Sequence, residues 1–84
     1  MKKKIIVTGG LGFIGSNLCK LLIDKGFFVI NIDKISYASS FYNTLDFKRN
    51  KNYKFFKLDI NNKNKFLRIL KKYKPLGIFN LAAE

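Results

Sequence analysis

Apolar positions along the chain fall into blocks of two kinds. Lys4–Thr8, Phe27–Asp33, Tyr53–Asp59 and Gly77–Ala83 are short runs rich in β-branched and aromatic residues, the third interleaved with Lys54 and Lys57. Runs of this length between glycine or polar positions predict strands buried in a sheet. Between them the period changes. Ile14, Leu18, Leu21 and Leu22 recur at helical spacing, and Gly26 stands where a helix C′ residue belongs. Phe66, Ile69, Leu70 and Tyr73 do so again, with Asn61 or Asn62 as the cap and Lys71, Lys72 and Lys74 at the C-terminal end, where cations suit the helix dipole. Pro75 then stops that helix. Residues Lys34 to Asn52 are irregular and polar, and predict a loop with one short helix near Asn43–Lys48. Strands alternating with helices predict an α/β fold with a parallel sheet and right-handed crossovers.

Size and charge narrow this picture. At 84 residues the chain makes one small domain with a thin core, burying roughly 60–65% of its unfolded surface. With 48% hydrophobic and 26% charged residues it reads as globular rather than disordered. No apolar run is long enough to span a membrane. Met1-Lys2-Lys3-Lys4 carries the charge of a secretory leader, but glycines interrupt the apolar stretch after Thr8 and no cleavage site appears, which predicts a cytoplasmic protein. The single cysteine, Cys19, makes no internal disulfide and reads as a small buried helix residue; without histidine there is no metal-site pattern. The net charge of +12 raises a nucleic-acid reading. However, 15 of the 17 basic residues are lysines scattered along the chain, where phosphate and base recognition favour arginine forks. Lysine, asparagine, isoleucine and phenylalanine are all specified by A+T-rich codons, so genome composition accounts for the charge, and no nucleic-acid partner is expected.

The candidate chemistry lies between the first strand and the first helix. Four of the seven positions from Gly9 to Gly15 are glycine, each a loss of backbone entropy on folding. A helix N-terminus carries unpaired N–H groups and about half a positive charge, so a pyrophosphate fits there if no side chain intervenes. Gly9 would make the tight turn, Gly12 would let the backbone approach the phosphates, and Gly15 would let helix and strand lie close; Gly10 fits the turn without an assigned role. Asp33 ends the second strand 18 positions after Gly15, near the spacing at which a carboxylate accepts bonds from the ribose hydroxyls of the adenosine half. It would also repel a 2′-phosphate and favour NAD over NADP, with Lys34 next to it softening that preference. The bland alternatives are an ordinary strand-to-helix turn and a strand-end turn acid. Together these features predict the N-terminal part of a Rossmann-type sheet, four parallel strands in the order 3-2-1-4 with flanking helices.

Thr8-Gly9-x-x-Gly12-x-x-Gly15 resembles the pattern of the extended short-chain dehydrogenase/reductases that act on nucleotide sugars, the NAD-dependent epimerase/dehydratase family. Within it, Asp33–Ala38 (DKISYA), Leu58–Ile60 (LDI) and Asn80–Glu84 (NLAAE) are similar to the dTDP-glucose 4,6-dehydratases. That family often has His where Asn80 stands, and the Ser39–Leu45 stretch differs from its usual Gly-Asn continuation. The resemblance implies NAD contacts from Phe13 and Ile14 at the helix start, and from Asp33, Lys34, Ile35 and Ser36 around the adenosine ribose. Asp59 and Ile60 would border the adenine. Leu81, Ala82 and Ala83 would line the nicotinamide side, with Glu84 near the substrate. On the residues alone, Asp59 also reads as a turn acid before a helix, and Ala82-Ala83 as plain strand packing.

The implied reaction turns dTDP-glucose into dTDP-4-keto-6-deoxyglucose, by oxidation at C4, loss of water across C5 and C6, and reduction at C6, with NAD. A related NAD-dependent nucleotide-sugar epimerase or decarboxylase stands as the alternative, and a small basic nucleic-acid-binding module as the second. The resemblance covers all 84 residues but only about the first quarter of such an enzyme. The chain is therefore expected to be the N-terminal part of a NAD-binding domain, inactive alone, with an open edge at its fourth strand and no second domain. The family's Tyr-x-x-x-Lys pair and acid–base carboxylates would lie beyond residue 84, so no residue of this chain is assigned a catalytic role. Tyr53 and Lys57 have that spacing but fall in a strand. A full-length parent of this kind is expected to be a homodimer.

Overall fold

A computed structural model describes residues 2–34 and 42–81. Its elements are β1 (Lys4–Thr8), α1 (Phe13–Asp24), β2 (Phe28–Asp33), β3 (Tyr53–Lys57), α2 (Lys63–Tyr73) and β4 (Gly77–Asn80). The strands form one parallel sheet, as the alternating pattern predicts, in the order β3-β2-β1-β4 expected of a Rossmann-type sheet. β1 lies in the middle, with Ile6 paired to Ile30 of β2 on one side and to Ile78 of β4 on the other.

Alternation along the strands sends neighbouring side chains to opposite faces. Ile5, Val7 and Val29 meet Cys19, Leu22 and Ile23 of α1, together with Phe47 and Tyr53. Ile6, Ile30 and Ile32 meet Phe66, Ile69, Leu70 and Tyr73 of α2, the stripe read from the sequence. The molecule thus has three layers, with the sheet between its two helices. α1 departs from its expected stripe. Its buried residues are Gly15, Ser16, Cys19, Leu22 and Ile23, while Ile14 and Leu21 face outward. Close seating of Gly15 on the preceding turn rotates the helix by about one position relative to its most apolar line.

The boundaries have local causes. The Gly26 N–H donates to the Ile23 carbonyl and the Phe27 N–H to the Leu22 carbonyl, a helix-ending motif with Gly26 at φ +97°. Phe27 is used there, so β2 begins one residue later than expected, where the Phe28 N–H donates to the Lys3 carbonyl. β3 ends at Lys57 rather than Asp59, because its last ladder bond runs from the Leu58 N–H to Asp33, the end of β2. Asn62, not Asn61, caps α2, accepting from the Lys65 N–H. Leu81 still donates to the Thr8 carbonyl, but β1 turns away at Gly9, so β4 stops at Asn80.

The short helix expected near Asn43–Lys48 is a 3₁₀ turn at 42–44 followed by further turns. This segment buries two separate anchors, Thr44 and Phe47, rather than a helical face. Phe47 packs edge-on against Tyr53, with ring centroids 4.9 Å apart.

Candidate functional site

At the C-terminal end of β1 the chain turns through Gly9, whose φ of +78° lies in the region open chiefly to glycine. Three consecutive N–H groups then lean on β2. Gly9 donates to the Ile32 carbonyl (2.8 Å), Gly10 to Asn31 Oδ1 (2.9 Å), and Leu11 to Asp33 Oδ2 (3.4 Å). From the other side Asn43 Nδ2 donates to the Leu11 carbonyl at 3.1 Å. The Gly12 N–H closes the turn on the Gly9 carbonyl. The next amides, Phe13 to Gly15, open α1 and have no preceding helical carbonyl to bond. Gly12 is the N-cap and supplies no capping side chain, and the first turn holds no acid. The turn is therefore fixed by its own N–H groups, and the positive end of α1 is left for an anion.

The glycines serve different ends. A Cβ on Gly15 would lie 2.4 Å from the Gly9 carbonyl oxygen and 2.8 Å from Gly10 Cα, so only glycine lets α1 sit on the turn. A Cβ on Gly10 would meet Asn31 Oδ1 at 2.3 Å, which supplies the role the sequence left unassigned. Gly12 is the exception. Its backbone (φ −71°, ψ 172°) suits any residue, and the nearest atom to an added Cβ is the Gly9 oxygen at 3.7 Å. Nothing among the described residues demands glycine at position 12, and the space beside it is what a phosphate approaching the backbone requires. The turn thus fits a dinucleotide pyrophosphate.

The parallel sheet brings the other candidates to this same end. Asp33 is half-buried beside Leu11, followed by the exposed Lys34. Phe13 and Ile14 stand at the rim, 75% and 73% exposed. Asp59 is exposed beyond β3, and its Oδ1 accepts from the Asn61 N–H at 2.9 Å, so it serves as a turn acid before α2. Ile60 packs with Leu58 on the α2 face of the sheet rather than in the mouth. Leu81 follows β4 with its side chain exposed. Ile35, Ser36, Ala82, Ala83 and Glu84 lie outside the described residues. Tyr53 and Lys57 are both on β3. The Tyr53 hydroxyl accepts from Asn31 Nδ2 in the interior, and burial, opposed by that hydrogen bond, pushes its pKa up to about 12. Cys19 is buried as expected, its thiol pushed up to about 12 by burial.

A family model described as GDP-mannose 4,6 dehydratase matches residues 6–84. The chain belongs to the GDP-mannose 4,6 dehydratase family. Among similar proteins, the dTDP-glucose 4,6-dehydratase of Haemophilus influenzae is 44% identical over 81 residues, covering 95% of this chain and 24% of that one. The CDP-paratose 2-epimerase of Salmonella typhi is 36% identical over 81 residues, covering 96% and 24%. The fold matches the dTDP-glucose 4,6-dehydratase of Bacillus anthracis, solved in complex with NAD, with a TM-score of 0.89 and 33% identity over 98% of this chain and 27% of that one. The chain spans about a quarter of the length of these relatives. The resemblance drawn from the glycine spacing and the DKISYA, LDI and NLAAE segments is borne out, as are the Rossmann-type sheet and its strand order.

Three side chains of this end went unassigned in the sequence. Asn31 is fully buried under the turn. Its signal was a lone polar residue inside an apolar strand run. Thr8 Oγ1 donates to Asn80 Oδ1 at 2.6 Å, tying the ends of β1 and β4. Asn43 holds the turn from a loop, and no periodicity marks it.

Proposed function

We propose that this chain is the NAD-binding segment of a nucleotide-sugar dehydratase that converts dTDP-glucose to dTDP-4-keto-6-deoxyglucose with elimination of water. The observation that carries the reading is the space at Gly12 that no described residue fills, beside an uncapped helix N-terminus and within reach of Asp33. Identity with dTDP-glucose 4,6-dehydratases over nearly the whole chain supports the substrate class.

In this reading the amides of Phe13, Ile14 and Gly15 bind the pyrophosphate, and the Gly9 and Gly12 backbone gives it room. Asp33 accepts from the adenosine ribose, flanked by Lys34, Ile35 and Ser36. Asp59 and Ile60 border the adenine, with the main chain of Ile60 as the available group because its side chain packs inward. Leu81, Ala82 and Ala83 line the nicotinamide, and Glu84 meets the substrate. Bound NAD supplies reversible hydride acceptance for the oxidation and reduction of the sugar. The chain's own part is to bind and orient. A charge at Asp33 about 4 Å from a 2′-phosphate would cost ~4 kcal/mol at an effective dielectric near 20, which selects NAD over NADP. The full-length parent works as a cytoplasmic homodimer on a small nucleotide sugar, without nucleic acid or membrane as partner. No helix among the described residues is long and apolar enough to cross a membrane.

NAD titration followed by thermal melting tests the reading. At a hundredfold excess over Kd, NAD is expected to add about 2.7 kcal/mol of stability. NADP is expected to do much less at the same concentration. No stabilisation by NAD, or tight binding to DNA or RNA that weakens steeply with salt, would overturn it. The 36% identity to CDP-paratose 2-epimerase supports a nucleotide-sugar epimerase as the second reading. The mass of the product made from dTDP-glucose by the full-length protein separates the two, since only dehydration removes water.

A further inference from the structure

The geometry points to Asn31 as a positioning residue that holds the Gly9–Gly12 turn in the shape that receives the pyrophosphate, an inference that rests on the dinucleotide reading above. Asn31 is completely buried on β2. The Gly10 N–H, an obligatory donor, faces its side chain at 2.9 Å, so the amide oxygen must be the atom there. The amide nitrogen then points the other way and donates to the Tyr53 hydroxyl on β3 at 3.0 Å. Tyr53 rests against Phe47, and the segment that carries Phe47 also carries Asn43, which donates to the Leu11 carbonyl. The contacts close a ring: Gly10, Asn31, Tyr53, Phe47, Asn43 and Leu11. Two successive residues of the turn are gripped from two sides by one loop, once directly and once through Asn31.

This arrangement explains why position 10 is glycine, since any side chain there would displace the Asn31 amide. Without that amide, the buried Gly10 N–H would have no acceptor, and a buried donor without one is costly. The turn would relieve that cost by lifting toward water, and Gly12 and the first turn of α1, next along the chain, would move with it. Asn31 would touch no ligand and still set the affinity for one.

The test uses the full-length protein. NAD affinity is measured by calorimetry below the melting transition, and Gly10 amide exchange is measured without ligand. Asn31→Leu is expected to raise the NAD Kd about tenfold in the folded protein and to speed Gly10 exchange. Tyr53→Phe removes one hydroxyl and no packing, so it carries the test should Asn31→Leu not fold. It is expected to speed Gly10 exchange and to weaken NAD by about threefold. In the Gly10→Ala background, Asn31→Ala makes room for the new methyl and is expected to restore part of the lost affinity. Variants that melt earlier yet bind NAD with wild-type affinity would overturn the positioning role and leave the dinucleotide reading standing. A wild-type protein that binds no NAD would overturn the reading itself, and the role of Asn31 with it.

Discussion

The two halves of the sheet are built to different depths. In the β1-α1-β2 unit, Ile5, Val7, Cys19, Leu22, Ile23 and Val29 are all buried, and every turn amide from Gly9 to Gly12 has a partner. In the β3-α2-β4 unit no residue of α2 is buried, and β4 lies at the sheet edge with Ile78 and Phe79 45% and 43% exposed. The two edges differ as well. β3 carries Lys54 and Lys57, whose charges discourage pairing with another chain, whereas β4 reads Gly-Ile-Phe-Asn. The candidate mouth belongs to the closed unit. A site that holds phosphates at fixed distances, as proposed for this turn, gains from rigid walls.

Truncating one apolar residue on each side probes this contrast with the largest effect. Ile30 is fully buried in the sheet, and Ile30→Ala is expected to cost about 3–4 kcal/mol in a urea melt. Ile69 of α2 is half-buried against the same cluster, and Ile69→Ala should cost roughly 1 kcal/mol. Equal costs would mean that the two units are equally built. Next in size is Gly15→Ala. Its methyl would strike main chain at both Gly9 and Gly10, and overpacking against backbone is expected to cost about 2–3 kcal/mol despite alanine's better helix propensity. A neutral result would show that α1 can slide on its seat.

The smallest effect concerns pH and also lies in the closed unit. Burial raises the Cys19 pKa from 9.0 to about 12 and that of Tyr53 from 10.0 to about 12. Both groups therefore keep their protons in the folded state while the unfolded chain loses them. Stability should be flat near neutrality and fall as pH climbs from about 8 toward 12, by roughly 2 kcal/mol at pH 10. Cys19→Ala should remove the part of the decline that begins near pH 8. A stability that rises across this range would contradict the burial of both groups.

Most of the architecture could be read in advance because apolar runs and helical spacing alternate cleanly, and strand order follows from the Rossmann-type combination of the glycine turn with Asp33. The turn was legible for a chemical reason: glycines at this spacing have few other uses. The features that escaped were settled by tertiary contact. Asn31 looked like a break in an apolar run, and only the fold puts Gly10 above it. The apolar line of α1 suggested one face, but contact between Gly15 and the turn selected the next. The 42–50 loop offers no period at all, since Thr44 and Phe47 are single anchors rather than the face of a helix.

The dinucleotide reading rests on the space at Gly12 existing for a ligand and not for the protein. Gly12→Ala, followed by urea melting and NAD calorimetry on the same preparation, puts both halves of that statement to the test. Stability is predicted to stay within about 0.5 kcal/mol of wild type, because the added methyl meets nothing among the described residues closer than 3.7 Å, while NAD binding weakens at least about tenfold. A variant that binds NAD with wild-type affinity, or one that loses stability as Gly15→Ala should, would contradict it.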